Sequence, residues 1–414
     1  MTMSRRQLLK GLALAPTLAL AGPAFAAPQR RTSFAPEDLI SDFEVVRQET
    51  CLNNARWHPM SRGSRAQVDA YLAYKEGRIW PPPDLIDHLQ TSVRQHFATL
   101  INADVREIAY VNSTTAGETM LVGSLGLPDK GGNIVTDALH FEGSLYMYGA
   151  LQKQGMDVRC VRPTPDWRID LKDMERVIDD KTRLVAVSLV SFINGFQHDV
   201  KALCELAHSH GAVVYIDAVQ AAGAMPVDVR ALGVDALGSA SYKWLMGDFG
   251  LGFLYVNQRL IPRLRRMVYG YRQLDSFDYH AFPGDTPGPY PASWSQHEDA
   301  AGYFEIGTYS NATLAALSYS LPQILNLGVD RIQQHAQELI ALLQRELPRL
   351  GFASMTPTDS GSPIATFIVK DPVNTEARLR RASVDVSVQG GRMRVSPSIY
   401  NTRRDVEKLL EALS

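Results

Sequence analysis

Cysteine is scarce in this chain: three residues, Cys51, Cys160 and Cys204, stand among 414. They form no C-x-x-C or metal-ligand spacing, which excludes a zinc module and a disulfide-stapled scaffold. No metal site is expected. An excess of one charge is also missing. The formal net charge is −2, from 42 basic and 44 acidic residues, so the chain projects no basic field and no nucleic-acid partner is expected. Beyond the first 26 residues there is no apolar run near the ~20 residues needed to cross ~30 Å of hydrocarbon. Internal repeats and long polar tracts are absent too. What remains is 45% hydrophobic and 21% charged, an ordinary globular composition in a chain long enough for two domains.

The N-terminus belongs to another category. Ser4-Arg5-Arg6-Gln7-Leu8-Leu9-Lys10 carries a twin arginine, Gly11 to Gly22 is mostly Leu and Ala, and Ala24-Phe25-Ala26 supplies an A-x-A site. This is the layout of a bacterial Tat export signal over residues 1–26. A membrane anchor is the competing reading, but a dozen apolar residues broken by Pro16 are too short to span. The expectation is a protein that folds in the cytoplasm, passes through the Tat machinery and resides in the periplasm without stable membrane insertion. An odd number of thiols there leaves at least one unpaired. Cys160 falls in an expected strand and Cys204 on an expected helix, so both are expected to be buried.

The middle of the chain alternates short apolar runs with helical segments. Ile134–Thr136, Asp157–Val161, Leu184–Val190, Ala212–Asp217 and Gly250–Val256 read as strands. Ser144–Gln154, Asp170 to about Asp179 and Lys201–His210 read as helices. That alternation predicts an α/β fold with a mostly parallel sheet covered on both faces, and with ligands beyond the carboxyl ends of the strands. Residues 269–304 have no helical or alternating period. Tyr269, Tyr271, Tyr279, Tyr290 and Trp294 sit among Pro and Gly, so a long loop is expected, a candidate active-site cover. The C-terminal part predicts a helix over Val329–Leu347, strands at Ala365–Val369 and Met393–Val395, and a final helix capped by Thr402 and Asp405. The resulting division is an N-terminal segment 27–85, a large domain 86–310 and a smaller α+β domain 311–414.

Asp217 ends the run Ala212-Val213-Val214-Tyr215-Ile216, and Lys243 follows 26 residues later within Ser241-Tyr242-Lys243-Trp244. A lysine amine condenses with an aldehyde as a Schiff base, and a carboxylate at a buried strand tip holds a pyridine nitrogen protonated. Together they are the two reactive ends of a pyridoxal phosphate (PLP) site. Asn112-Ser113-Thr114-Thr115-Ala116-Gly117-Glu118 opens a helix after Ile108–Val111, and its free N–H groups and hydroxyls suit a phosphate. An ordinary Ser/Thr cap is the alternative for that stretch.

The order Thr114-Thr115-Ala116-Gly117, His140, Asp217-x-x-Gln220, Ser241-Tyr242-Lys243, Gly307-Thr308 and Arg394 resembles the class V aminotransferase family, which includes cysteine desulfurases, kynureninases and isopenicillin N epimerase-like proteins. The likeness runs from Leu52-Asn53-Asn54-Ala55 to Tyr400-Asn401-Thr402. It implies PLP-dependent transferase fold type I, with a large seven-stranded domain and PLP as cofactor. Under the same resemblance Thr114 and Thr115 bind the phosphate, His140 stacks on the pyridine ring, Asp217 pairs with its nitrogen and Gln220 bonds its hydroxyl. Tyr242 adds a phosphate contact and Lys243 is the catalytic lysine. Thr308 reaches the phosphate of a neighbouring subunit, which implies a homodimer with shared active sites. Arg394 grips the substrate carboxylate, with Arg392 second choice.

Relatives place an Asn near the ring hydroxyl; Phe192 and Asn194 both remain open for that place. Desulfurases need a thiol on a loop before the Arg394 position, and residues 370–393 contain no Cys, so desulfurase activity is not expected. Transamination is the first choice of reaction, with epimerisation or elimination as alternatives. A catalytically silent PLP-fold binding protein is the alternative of another class. Periplasmic relatives that tailor the glutamyl side chain of pyoverdine siderophores suggest a small or peptide-linked amino-acid substrate. Arg56, beside Trp57 and His58 at the expected entrance, is a candidate for a second, distal carboxylate.

Overall fold

The computed structural model describes residues 35–77 and 85–414; the export-signal expectation for residues 1–26 lies outside them. The short strand β1 (Thr50–Cys51) precedes the central sheet of β2 (Ile108–Val111), β3 (Asn133–Asp137), β4 (Asp157–Val161), β5 (Thr182–Ser188), β6 (Val213–Asp217), β7 (Ala236–Ala240) and β8 (Gly252–Val256). The order is β2-β8-β7-β6-β5-β3-β4. Neighbours are parallel from β4 to β7, and β8 runs antiparallel to both β7 and β2. This is the expected mostly parallel α/β sheet of PLP fold type I. Every residue of β6, β7 and β8 is buried. Strands covered on both faces have no polar side, hence the continuous apolar runs.

β7 escaped the sequence reading because Ala236-Leu237-Gly238-Ser239-Ala240 is small rather than apolar. The fold requires this: a Cβ at Gly238 would meet Thr114 Cγ2 at 2.8 Å and collide with the Tyr215 hydroxyl. Cys204 is buried as expected, but Cys160 is exposed, because β4 is an edge strand with one flank open. The helix expected from Asp170 to Asp179 is only Leu171–Glu175, and the Asp170 side chain makes no capping bond. Asp179 instead accepts from Lys181 N–H, Asn133 Nδ2 and Arg159, which turns the chain into β5.

Residues 269–304 are not a plain loop. They hold an antiparallel hairpin of β9 (Leu274–Tyr279) and β10 (Ala292–Gln296), then a helical turn Ala300–Phe304. No alternation revealed it because nearly every residue of both strands faces water, Phe277, Tyr279 and Trp294 included.

The C-terminal part contains helix Val329–Glu346 and the strands β11 (Ala365–Ile368), β12 (Val384–Asp385), β13 (Ser387–Gln389) and β14 (Arg392–Val395). β11-β14-β13 form one antiparallel sheet, and β12 pairs in parallel with β1. Its core joins Leu339, Leu343, Phe367, Met393, Val395 and Leu409 to Leu52 from the N-terminal segment. Thr402 and Asp405 form the expected capping box of helix Arg403–Leu413. Helix Asn311–Leu327 packs Leu314, Leu317, Leu321 and Ile324 into the core of the large sheet. Among the described residues no helix is long and apolar enough to cross a membrane.

Candidate active site

Two adjoining cavities open at the carboxyl ends of β3, β5 and β6. The inner chamber, about 80 Å³, is lined by Ser113, Thr114, Thr115, Phe141, Ser188, Phe192, Asp217, Gln220, Tyr242 and Lys243, among others. The outer funnel, about 800 Å³, shares Phe141, Phe192, Tyr242 and Lys243 with it and adds Ala55, Arg56, Arg394 and residues 383–389. Sequence positions over 300 apart therefore meet at one lysine.

Helix Thr114–Ser124 begins at the chamber, with Ser113 Oγ accepting from Ala116 N–H as N-cap. Ser113 is the cap, while Thr114 and Thr115 line the chamber. Thr114 Oγ1 is buried without a partner among the described residues, a polar atom that a phosphate at the positive helix end would satisfy. At the other side Asp217 Oδ1 accepts from Val219 N–H at 2.8 Å. Burial pushes its carboxyl above the usual range, opposed by His140, that N–H and Lys243. A cationic pyridinium is the partner that would restore it to an anion. Burial lowers the Lys243 amine to about 8; Asp217 works against the shift and Arg394 with it. An amine so tuned has a far larger neutral fraction near physiological pH than an ordinary lysine and, once deprotonated, can attack an aldehyde. The residues present thus fit PLP at its phosphate, its ring nitrogen and its aldehyde.

Gln220 lines the chamber but is clamped, its Nε2 donating to Ala55 O at 3.1 Å and its Oε1 accepting from Trp244 at 2.9 Å. Tyr242 stacks on Phe249 with ring centroids 4.4 Å apart, and Lys243 Nζ lies 5.6 Å from the Tyr242 ring centre. His140 is not in the lining. It is fully buried behind the wall, between Ser188 Oγ at 2.9 Å and Glu118 Oε1 at 3.2 Å. The ring that faces both cavities belongs to its neighbour Phe141. Asp137 Oδ1 accepts from Leu139 N–H at 2.7 Å, and this turn at the end of β3 sends residue 140 inward and 141 outward. A Cβ at Gly143 would come within 2.7 Å of the Phe141 ring, so the helix start there leaves room for it. Phe192 faces the chamber, whereas Asn194 is buried and donates to Trp167 O and Met355 O; that open choice falls to Phe192.

Arg394 on β14 donates to Phe192 O at 2.9 Å, and its buried Nε has no partner among the described residues. Burial, with Arg56 and Arg392 nearby, lowers its guanidinium to about 10. A desolvated cation without an ion-pair partner among the described residues, beside a cavity, has the chemistry to receive a carboxylate. Arg392 does not line the funnel. Arg56 does, and it is exposed with no ion-pair partner among the described residues. His58, by contrast, is buried; it meets Ser398 Oγ at 2.7 Å and Pro59 O at 2.8 Å. Thr308 is exposed at φ 52° and outside both linings, so this chain does not bring it to its own chamber. No cysteine lines either cavity.

The fold and these residues define a PLP-dependent α/β enzyme. Residues 85–409 match the profile of the family Aminotransferase class-V, and the chain belongs to that family. A probable cysteine desulfurase of Methanothermobacter thermautotrophicus is 27% identical over 341 residues, covering 77% of this chain and 82% of that one. An uncharacterised aminotransferase of Bacillus subtilis is 25% identical over 385 residues, covering 92% and 97%. The structure of an Escherichia coli cysteine desulfurase matches with a TM-score of 0.80 at 20% identity, covering 92% of this chain and 98% of that one.

Proposed function

We propose that the protein acts at the amine-bearing carbon of an amino acid, free or peptide-linked, and that its reaction is transamination. The observation that carries the reading is the buried Arg394, without an ion-pair partner among the described residues, beside Lys243, whose amine burial lowers to about 8. PLP, when bound, supplies an electron sink that weakens the bonds at the substrate α-carbon. The chain does the rest. Arg394 holds the carboxylate, which fixes the α-carbon relative to Lys243. The Lys243 amine takes the α-proton and can return it elsewhere on the same face, as a general base and then acid. Phe141 and Phe192, 5.8 Å apart edge to face, exclude water from the inner chamber. Thr308 belongs in this reading to a homodimer, where it serves the partner's phosphate site. Arg56 receives a second carboxylate in the funnel, in keeping with a glutamate-like group such as the side chain tailored in pyoverdine siderophores. Tat export to the periplasm, inferred from residues 1–26, completes the proposal.

Several relatives are named cysteine desulfurases, which favours sulfur chemistry as the second reading. Against it stands the thiol inventory. Cys51 and Cys204 are buried, burial raising both thiols, the latter to about 12, and Cys160 lies on the far edge strand. A relay of sulfur needs a reachable thiolate. The deciding experiment incubates purified, PLP-loaded protein with glutamate, glutamyl peptides, cysteine and alanine, with and without a keto acid. Keto-acid-dependent amine transfer supports the proposal. Inversion at the α-carbon without transfer assigns an epimerase, and alanine plus sulfide from cysteine assigns a desulfurase; either result rejects transamination.

A further inference from the structure

Behind the chamber lies a polar cluster that the chemistry above does not use. Glu118, on the helix that begins at Thr114, has no solvent exposure. Its Oε2 accepts from Ser144 Oγ at 2.5 Å, and its Oε1 from Tyr148 OH at 2.6 Å and His140 Nε2 at 3.2 Å. Three donors converge on one carboxyl group, and in that arrangement His140 carries a proton on Nε2. The other nitrogen, Nδ1, meets Ser188 Oγ at 2.9 Å. Ser188 lines the chamber and stands in register with Asp217 on the adjacent strand. The path from buried carboxylate to cavity wall is continuous.

We propose that Glu118 and His140 act through Ser188 as a positioning relay that sets the hydrogen-bond polarity of the chamber wall toward the cofactor. The bonding rules leave two states. With His140 neutral, Nδ1 is an acceptor, Ser188 spends its proton on it, and only lone pairs face the chamber. With His140 charged, Nδ1–H donates to Ser188, whose own O–H is released toward the chamber beside Asp217. The second state favours negative charge on the cofactor atom that meets Ser188.

The groups around His140 select that second state. Glu118 and Tyr148 approach from the two helices, Asp137 from the end of β3 and Asp217 from β6, with Tyr215 of β6 near Glu118. Burial opposes the charge on His140, but Glu118, then Asp217 and Asp137, outweigh it and hold the imidazole above its ordinary value. Breaking the link at either end withdraws the Ser188 donor.

The test is a spectrophotometric pH titration of the PLP-loaded protein, which reads the protonation of the Lys243–cofactor linkage without any substrate. Glu118→Gln and Ser188→Ala are each expected to raise the midpoint by about half a unit to one unit, the worth of one hydrogen bond. The double variant should move it no further than either single one, and Ser188→Thr, which keeps the hydroxyl, should restore the original midpoint. An unchanged midpoint in Ser188→Ala, or fully additive shifts, overturns the relay. If Glu118→Gln does not fold, the Ser188→Ala and Ser188→Thr pair decides alone. The proposal needs only a bound cofactor, so its failure would leave the assignment of the reaction untouched, and the reverse also holds.

Discussion

The inner chamber and the outer funnel meet at the same lysine yet are built on different terms. The chamber is assembled from strand ends and one helix start, all within residues 113–243. The funnel is assembled largely from residues 48–56 and 376–394, which come together through the β1–β12 pairing, the Asn53–Ser396 bridge and the shared core at Leu52. Arg56, Arg380 and Arg394 line it without an ion-pair partner among the described residues. A rigid sheet can fix cofactor chemistry, while a seam between distant segments can vary the substrate without disturbing it.

The comparison is sharpest when broken at the chamber. Lys243→Ala should abolish visible cofactor absorption and all turnover. In the unaltered apoprotein, the rate of cofactor uptake should rise with pH around a midpoint near 8, as the amine loses its proton. Breaking the funnel should act on the substrate alone. Arg394→Ala is expected to weaken carboxylate substrates by about 100-fold or more, since it removes one member of a desolvated charge pair, while the absorption band persists. A band lost together with binding would show that the two spaces are not separable.

At the junction, His58 tests stability rather than chemistry. Burial lowers it from 6.5 to about 4, so the folded state binds fewer protons than the unfolded one. Its contribution is present above about pH 6.5 and is lost as pH falls toward 4, worth about 3 kcal/mol in all. The melting temperature of His58→Gln should therefore depend less on pH across that window; an equal dependence would assign the acid sensitivity elsewhere. The smallest effect belongs to Arg56→Ala. A few-fold loss in apparent affinity is expected for dicarboxylic amino acids and none for monocarboxylic ones, because an exposed charge is well screened. Equal losses for both would remove Arg56 from substrate recognition.

The same contrast explains what was legible in the sequence. Asp217, Lys243 and Thr114–Thr115 announce themselves because a strand end, a spacing and a helix start are local features. Arg394 was legible only through the family resemblance. Phe141 was not: which of two adjacent residues faces a cavity depends on the Asp137 turn, and no periodicity encodes a turn's direction. Glu118 and Ser188 were passed over because a lone acid in a helix and a lone serine in a strand carry no signal until His140 joins them. β7 and the β9–β10 hairpin were hidden by composition, the one too small-chained and the other exposed on both faces.

Residues 54–58 tie three bodies together. Asn54 Nδ2 donates to Ser396 O, Ala55 O accepts from Gln220, and His58 N–H donates to the carbonyl of Tyr242, next to Lys243. Five consecutive residues thus fasten the C-terminal layer to the main chain next to Lys243, so the mouth keeps its place over the chamber whatever side chains line it.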